Sequence, residues 1–136
     1  MLKTLLMVLT TAIGLIGTVM AQEQIVISSD WGEVKAELAS NDAARSLFSM
    51  LPITVEMRDH LRQEKTGSLA SPLPAVARQT GFSRGTLGLW SSDHFVIYYR
   101  EGQVPQPGIV VLGHVTGDVS IFDRPGSIVV QIDRAK

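Results

Sequence analysis

The chain has 136 residues, of which 45% are hydrophobic and 18% are charged, with no cysteine and a formal net charge of −1. These values indicate one globular domain, and they exclude disulfides, thiolate nucleophiles and cysteine zinc sites. A chain this close to neutral also has no long-range field that would attract nucleic acid or an anionic membrane.

Residues 1–21 have the three-part pattern of a secretory signal peptide. Lys3 gives a positive start, an uncharged apolar run follows, and Val19-Met20-Ala21 places small or aliphatic residues where a signal peptidase reads. A transmembrane anchor is the alternative, but the run is barely long enough to cross a bilayer and lacks basic stop-transfer residues. The pattern favours cleavage, so we predict a secreted or periplasmic protein without a stable anchor, whose domain occupies residues 22–136.

The first segment after residue 22 predicts a strand, followed by a turn and a second strand. Residues 24–29 are short and β-branched, and Ser29-Asp30-Trp31-Gly32 has the chemistry of a turn. Residues 33–38 alternate apolar and polar side chains, which favours a hairpin, although the same six residues could also be helical.

Residues 41–51 predict one amphipathic helix. Ser40, Asn41 and Asp42 are all good N-caps, because their side-chain oxygens can accept the free N–H groups of a first turn. Apolar residues then recur at helical spacing, and Pro52 ends the segment. We expect the helix to be buried on the side that carries Leu47, Phe48 and Leu51.

Residues 53–57 alternate as a strand, and a weakly patterned stretch, residues 58–85, follows them. Its prolines and glycines break any long element, with a short strand possible at residues 66–69. A long irregular segment in a compact domain is usually a functional loop or a mobile one. The dense charges of this stretch indicate either a solvated loop or the polar rim of a pocket.

The last third of the chain is strongly β. Five segments are strand-like, at residues 86–91, 95–100, 109–115, 119–122 and 127–134. Strands at such close spacing predict a barrel or a sandwich. The segments that are apolar on both faces favour a mostly β, closed or nearly closed barrel, with the one helix covering an opening or a side.

A capped helix is followed in order by LPITVEM, EKTGSL, LP, GTLGLW, HFVIYYR and GIVVLGHV. This order resembles the bacterial cyclophilin-like domain family, over roughly residues 24–134. The resemblance implies a shortened form of the eight-stranded cyclophilin barrel in a small protein that often carries a signal peptide. It rests on the order of segments, so it carries no activity with it.

Cyclophilins themselves carry a Phe-His-Arg run, then a Phe and a Gln, with a Trp and a His contributed later, and their arginine stabilises the twisting prolyl amide. Here the resemblance leads to Arg58 and Gln63, but no Phe-His precedes Arg58 and no Phe lies between the two. Trp90 and His94 stand in a different local context. Because a fold can persist after its site is lost, we predict no catalytic residues, with peptidyl-prolyl isomerase as the alternative.

The stretch LWSSDHFVIYYREG, residues 89–102, concentrates aromatic and polar side chains in a predicted hairpin. Alternation places Phe95, Ile97 and Tyr99 on a core face, with Val96 and a polar set on the other. An ordinary barrel strand with a polar outer stripe is the alternative to a ligand site there. The predicted ligand-binding residues are Arg58, Trp90, His94, Tyr98 and Arg100, which line one concavity.

Other chemistries have little support in the sequence. Asp93 and His94 point to opposite faces of an extended chain, which makes them a poor acid–base pair. His60, His94 and His114 lack any recognised ligand spacing, so we predict no metal and no cofactor. A hydrolase would rest on isolated serines and histidines alone. The sequence therefore predicts an exported, non-catalytic module that binds an unknown small molecule or peptide.

Overall fold

A computed structural model describes residues 22–136, and the predicted signal peptide lies outside these residues. The helices of the described part are α1 (Asp42–Met50) and a 3₁₀ helix (Val119–Phe122). Its strands are β1 (Gln24–Ser29), β2 (Gly32–Leu38), β3 (Ile53–His60), β4 (Glu64–Ser68), β5 (Gly81–Phe82), β6 (Thr86–Trp90), β7 (His94–Tyr98), β8 (Gly102–Gln103), β9 (Val110–Val115) and β10 (Ile128–Arg134).

Eight of these strands form a closed barrel, which confirms the predicted architecture. Their order around the barrel is β1-β10-β3-β4-β7-β6-β9-β2, and every neighbouring pair is antiparallel. The remaining two strands, β5 and β8, pair with each other as a separate ribbon. The predicted strand at residues 33–38 is confirmed, and its helical alternative is wrong.

The barrel interior holds the main core. Phe95, Ile97 and Tyr99 all point into it and are buried, as alternation along β7 predicted. Removing the side chains of Phe95 and Ile97 from water stabilises the fold by roughly 1.5–3 kcal/mol each. One face of α1 joins the same core through Ala43, Ala44 and Leu47, which closes the barrel on that side.

Helix α1 begins where the sequence predicts. The Asn41 side-chain oxygen accepts a hydrogen bond from the Ala44 N–H at 2.8 Å, as an N-cap should. The Asn41 side-chain nitrogen donates to the Val111 carbonyl at 2.9 Å, so the same residue also fixes the helix to β9. Phe48 is only partly buried, whereas Leu47 and Leu51 are buried as predicted.

The predicted strand at residues 119–122 is wrong. The Asp118 carboxylate accepts hydrogen bonds from the backbone N–H and the hydroxyl of Ser120, and this cap starts a 3₁₀ helix. The short helix turns Val119 and Phe122 into the core, where Phe122 is fully buried. Val119 and Phe122 are three positions apart, which suits one turn of a 3₁₀ helix. A segment of four residues is too short for the spacing of its apolar residues to distinguish this turn from a strand.

The outer face of β7 is not a polar stripe. Val96 and Tyr98 are fully buried there, in a second apolar cluster with Phe82 and Ile109. The Phe82 ring stacks on the Tyr98 ring with 3.8 Å between centroids. The β5–β8 ribbon therefore covers this side of the barrel.

Candidate functional site

Two grooves lie on the outer side of the barrel near the β6–β7 hairpin. The first, here the Trp90 groove, encloses about 550 Å³. It is lined by His60, Leu61, Gln63, Glu64, Arg78, Trp90, Ser91 and residues 103–109. The second, here the Arg58 groove, encloses about 570 Å³. It is lined by Asp30, Glu56, Met57, Arg58, Thr66, Gly67, Ser68, His94 and residues 127–129. Both have the size of small-molecule sites, which span roughly 300–1,000 Å³.

Three aromatic rings stand where the two grooves meet. Trp90 stacks on His94 with 5.9 Å between centroids, and the His60 ring meets Trp90 edge-on at 5.1 Å. The indole nitrogen of Trp90 donates a hydrogen bond to the Tyr98 hydroxyl at 3.0 Å. The antiparallel register that places Trp90 opposite His94 brings these side chains to one face. Trp90, His94 and Tyr98 therefore lie together, but only Trp90 and His94 line a groove.

Tyr98 supports this site from beneath. Its side chain is fully buried, and its hydroxyl accepts the Trp90 hydrogen bond instead of facing a groove. Burial, more than any other cause, raises the pKa of the Tyr98 phenol above its usual range, so the hydroxyl stays protonated. Gly88 on β6 leaves room for the ring, because a Cβ there would lie 3.0 Å from it.

The predicted single concavity is divided. Arg58 points outward from β3 and lines the Arg58 groove with His94, whereas Trp90 lines the other groove. The buried hydroxyl of Thr66 in the Arg58 groove has no hydrogen-bond partner within residues 22–136.

Arg100 lies away from both grooves. Its guanidinium is 3.2 Å from the Asp123 carboxylate and above the ring of Tyr99, not of Tyr98. Strand β7 ends at Tyr98, so alternation no longer places the side chain of Arg100.

Sequence reasoning missed the most unusual group of the Trp90 groove, which is Glu64. Its side chain is 1% exposed, although the sequence placed it in a charged loop or rim. The Gln63 amide donates to Glu64 Oε2 at 2.9 Å, while Oε1 lies 3.9 Å from His60 Nε2 and accepts no hydrogen bond within the described part of the chain. Burial raises the pKa of Glu64 to about 7, assisted by the charge of Asp59 and opposed by the Gln63 hydrogen bond.

The neighbouring buried charge, Lys65, is fully paired. Its ammonium donates to the Asp59 carboxylate at 2.8 Å and to the carbonyls of Arg124 and Gly126. The Tyr99 hydroxyl donates to the same Asp59 oxygen at 2.6 Å. Every donor of Lys65 thus has an acceptor at the end of the barrel, so this cluster serves the fold. The charged run at residues 58–65 therefore contains Lys65, which stabilises the fold, and Glu64, which lines the Trp90 groove.

Replacing Glu64 with glutamine is expected to stabilise the protein more at pH 8 than at pH 5. Because the folded-state pKa of about 7 exceeds the ordinary 4.5, the stability that Glu64 contributes is present below pH 4.5 and is lost as the pH rises through 7. The amide of Glu64→Gln does not ionise and escapes this loss. Urea unfolding at both pH values measures the effect, with Glu56→Gln, an exposed carboxylate of β3, as the control. Equal differences from the unsubstituted protein at the two pH values would contradict it.

No group of three or more His, Asp or Glu side chains in the described residues is placed to hold a metal ion. Among residues 22–136, no helix is both long and apolar enough to cross a bilayer.

A family model described as the cyclophilin-like family matches residues 27–133. The chain belongs to the cyclophilin-like family. This confirms the resemblance predicted from the order of segments, and no curated protein matches the chain.

The same fold occurs in the hypothetical protein AF2241 from Archaeoglobus fulgidus, known from a solution structure. The two superpose with a TM-score of 0.67, over 88% of this chain and 99% of that one, at 13% sequence identity. Identity this low shows the shared barrel and nothing about the site. Evidence on function therefore comes from the grooves of this chain.

The Trp90 groove does gather an arginine, an aromatic ring and an amide, from Arg78, Trp90 and Gln63. The guanidinium of Arg78, however, donates to three backbone carbonyls, those of Leu89 at 3.4 Å, Gly108 at 3.2 Å and Ser91 at 2.6 Å. It fastens the groove wall to the β6–β7 hairpin. Arg58, the arginine to which the sequence pointed, lines the other groove.

Proposed function

We infer that this cyclophilin-like domain is an exported, non-catalytic binding module whose ligand occupies the Trp90 groove. Export rests on the signal pattern of residues 1–21, and a mature chain that begins at Gln22 is its expected product. The ligand is a small molecule or a short peptide, because a groove of about 550 Å³ accommodates either.

The observation that carries the proposal is that the Trp90 groove combines apolar surface with a few polar groups. Trp90, Val104 and Pro105 supply apolar surface, while Glu64 and Gln63 present polar groups. Ligand sites typically combine a mainly apolar lining with a few convergent polar groups. A buried carboxyl with a raised pKa is a further mark of functional sites.

Peptidyl-prolyl isomerase is the second candidate, and the arrangement of arginines ranks it lower. An isomerase of the cyclophilin type needs a guanidinium that can reach the prolyl amide. The hydrogen bonds of Arg78 to three carbonyls leave it poorly placed for that, and Arg58 lies in the neighbouring groove.

Ligand binding is tested through the two tryptophans. A fragment library with added proline tetrapeptides is expected to yield probes that shift the indole N–H resonance of Trp90 and leave that of Trp31 in place. Trp31 is a built-in control, because its ring lies beneath Lys65 and Arg124 at the end of the barrel. Trp90→Ala, measured by isothermal titration calorimetry because it lacks the reporting indole, is expected to weaken binding about tenfold, since an aromatic contact contributes on the order of 1.4 kcal/mol.

Two results would count against the proposal. If no probe shifts Trp90, the groove is not a binding site. If the protein accelerates isomerisation of a proline tetrapeptide above the uncatalysed rate in a protease-coupled assay, and Arg58→Ala or Arg78→Ala abolishes that acceleration, the isomerase is the correct function instead.

A further inference from the structure

Glu64 and Lys65 are consecutive residues of β4 that point to opposite sides of the barrel wall, and both are buried. Lys65 has a carboxylate and two carbonyls around its ammonium. Among residues 22–136, Glu64 has one amide donor and no Lys or Arg within ion-pair distance. A buried carboxylate that lacks a cation is costly, so natural proteins rarely retain one without a purpose. A cation is the partner that would stabilise the ionised form of Glu64.

The described part of the chain does not place a cation on Glu64. The titratable and charged groups around Glu64 are His60 and Asp59 on β3, Tyr98 on β7, and Arg78 across the groove. Asp59 carries the wrong sign, Tyr98 is neutral, and Arg78 bonds to carbonyls. His60 stands 3.9 Å away, beyond hydrogen-bond distance, with its ring turned edge-on to Trp90. Glu64 Oε1 therefore accepts no hydrogen bond within residues 22–136, and Glu64 lines the Trp90 groove.

The groove walls suit the body of a cationic ligand. Trp90 is half-buried, so part of its indole is accessible, and an indole is the best aromatic partner for a cation. Pro105 and Pro107 stand exposed on the opposite wall, with Val104 between that wall and the ribbon. A flat or apolar body can pack between these surfaces while its charged end reaches Glu64.

We propose that the Trp90 groove binds organic cations, with an amidinium, guanidinium or ammonium group donating an N–H to Glu64 Oε1 and an apolar body packed along Trp90 and the 105–107 wall. The proposal rests on the proposed function, whose ligand class it names. Binding supplies the absent counter-ion and a hydrogen bond to the ionised carboxylate, which is a strong kind. Because the folded-state pKa of Glu64 lies at about 7, binding at neutral pH releases the proton from the fraction of molecules that carry one.

Three compounds of nearly one shape test the charge requirement. Benzamidine is cationic, benzamide is its neutral isostere, and benzoate is anionic. At pH 8 benzamidine is expected to bind at least about tenfold more tightly than benzamide, with benzoate the weakest, as titrations of the Trp90 indole resonance would show. At pH 5, where Glu64 is protonated, the preference is expected to shrink severalfold.

Two matched variants show whether Glu64 causes the preference for the cation. Glu64→Gln is expected to abolish the preference for benzamidine over benzamide, whereas Glu56→Gln, on the same outer face but in the Arg58 groove, is expected to retain it. His60→Gln is expected to keep the pH dependence, because the titrating group is Glu64. A blocked Gly-Arg-Gly peptide, compared with benzamidine, tells whether the cation is read on a peptide or on a free small molecule.

The outcomes separate this inference from the proposed function. Equal or tighter binding of benzamide, or the same loss of preference in Glu56→Gln, overturns the cation assignment and leaves the groove a binding site for other ligands. Failure of benzamidine while other fragments shift Trp90 overturns it too. If no compound of any charge shifts Trp90, the proposed function itself fails. Should Glu64→Gln not fold, the three-compound comparison and its pH dependence in the unsubstituted protein still decide.

Discussion

Replacing Lys65 with methionine is expected to lower the free energy of unfolding by about 3 kcal/mol or more. The side chain is fully buried, and its ammonium is the donor to Asp59 and to the carbonyls of Arg124 and Gly126. Methionine fills much of the same volume but leaves a carboxylate and two carbonyls without that donor. Removing one partner of a buried ion pair costs more than the pair itself contributes.

Urea unfolding followed by circular dichroism measures this change. Lys35→Met is the control, because Lys35 belongs to a strand of the same barrel and its side chain is exposed. We expect the Lys35 variant to unfold within about 0.5 kcal/mol of the unsubstituted protein. Similar midpoints for the two variants would mean that the Tyr99 hydroxyl and the Arg62 guanidinium, which lies 3.4 Å from the Asp59 carboxylate, hold Asp59 sufficiently without Lys65.

Replacing Gly67 with alanine is expected to lower the free energy of unfolding by about 3 kcal/mol, here because of a steric clash. A Cβ at this position of β4 would lie 2.2 Å from the backbone carbonyl oxygen of Glu56 and 2.8 Å from the Val55 side chain. Backbone atoms of β3 cannot move aside as a flexible side chain could, so the two strands must separate. Because both grooves are built on this strand pair, ligand binding is expected to weaken together with stability.

Gly81→Ala provides the comparison for this substitution. Gly81 lies in the β5–β8 ribbon, and a Cβ there would meet nothing within 4 Å. The Gly81 variant is expected to keep its thermal midpoint, whereas that of Gly67→Ala falls by several degrees. If the Gly67 variant is as stable as the Gly81 variant, β3 and β4 pack less closely than described.

The barrel could be predicted because its signals are local. Alternation along β7 placed Phe95 and Ile97 in the core, and the side chain of Asn41 marked the start of α1. The same reasoning failed at residues 119–122, where the cap formed by Asp118 decided between two short elements. The ribbon was also beyond reach, since each of its strands has two residues and its partners lie about twenty residues apart in the chain.

The candidate site was predictable only in part, and for a related reason. Trp90, His94 and Tyr98 share one hairpin, so their common face follows from the pleat. Arg58 comes from another strand and Arg100 from beyond the end of β7, where alternation says nothing about direction. Glu64 was hidden among charges that usually stay in water, and only the covering of that side of the barrel makes it buried.

In the ribbon that covers the outer side of the barrel, the residues that pack on the barrel differ from those that line the Trp90 groove. The ribbon is attached to the barrel through backbone hydrogen bonds between Gln79 and Ile109 and through the Phe82 ring that stacks on Tyr98, while the Val104 N–H donates to the Thr80 carbonyl within the ribbon itself. The exposed residues between these attachments, 105–107, touch the groove and not the barrel core. Substitutions at residues 105–107 can therefore change the lining of the groove while the packing of the barrel stays as it is.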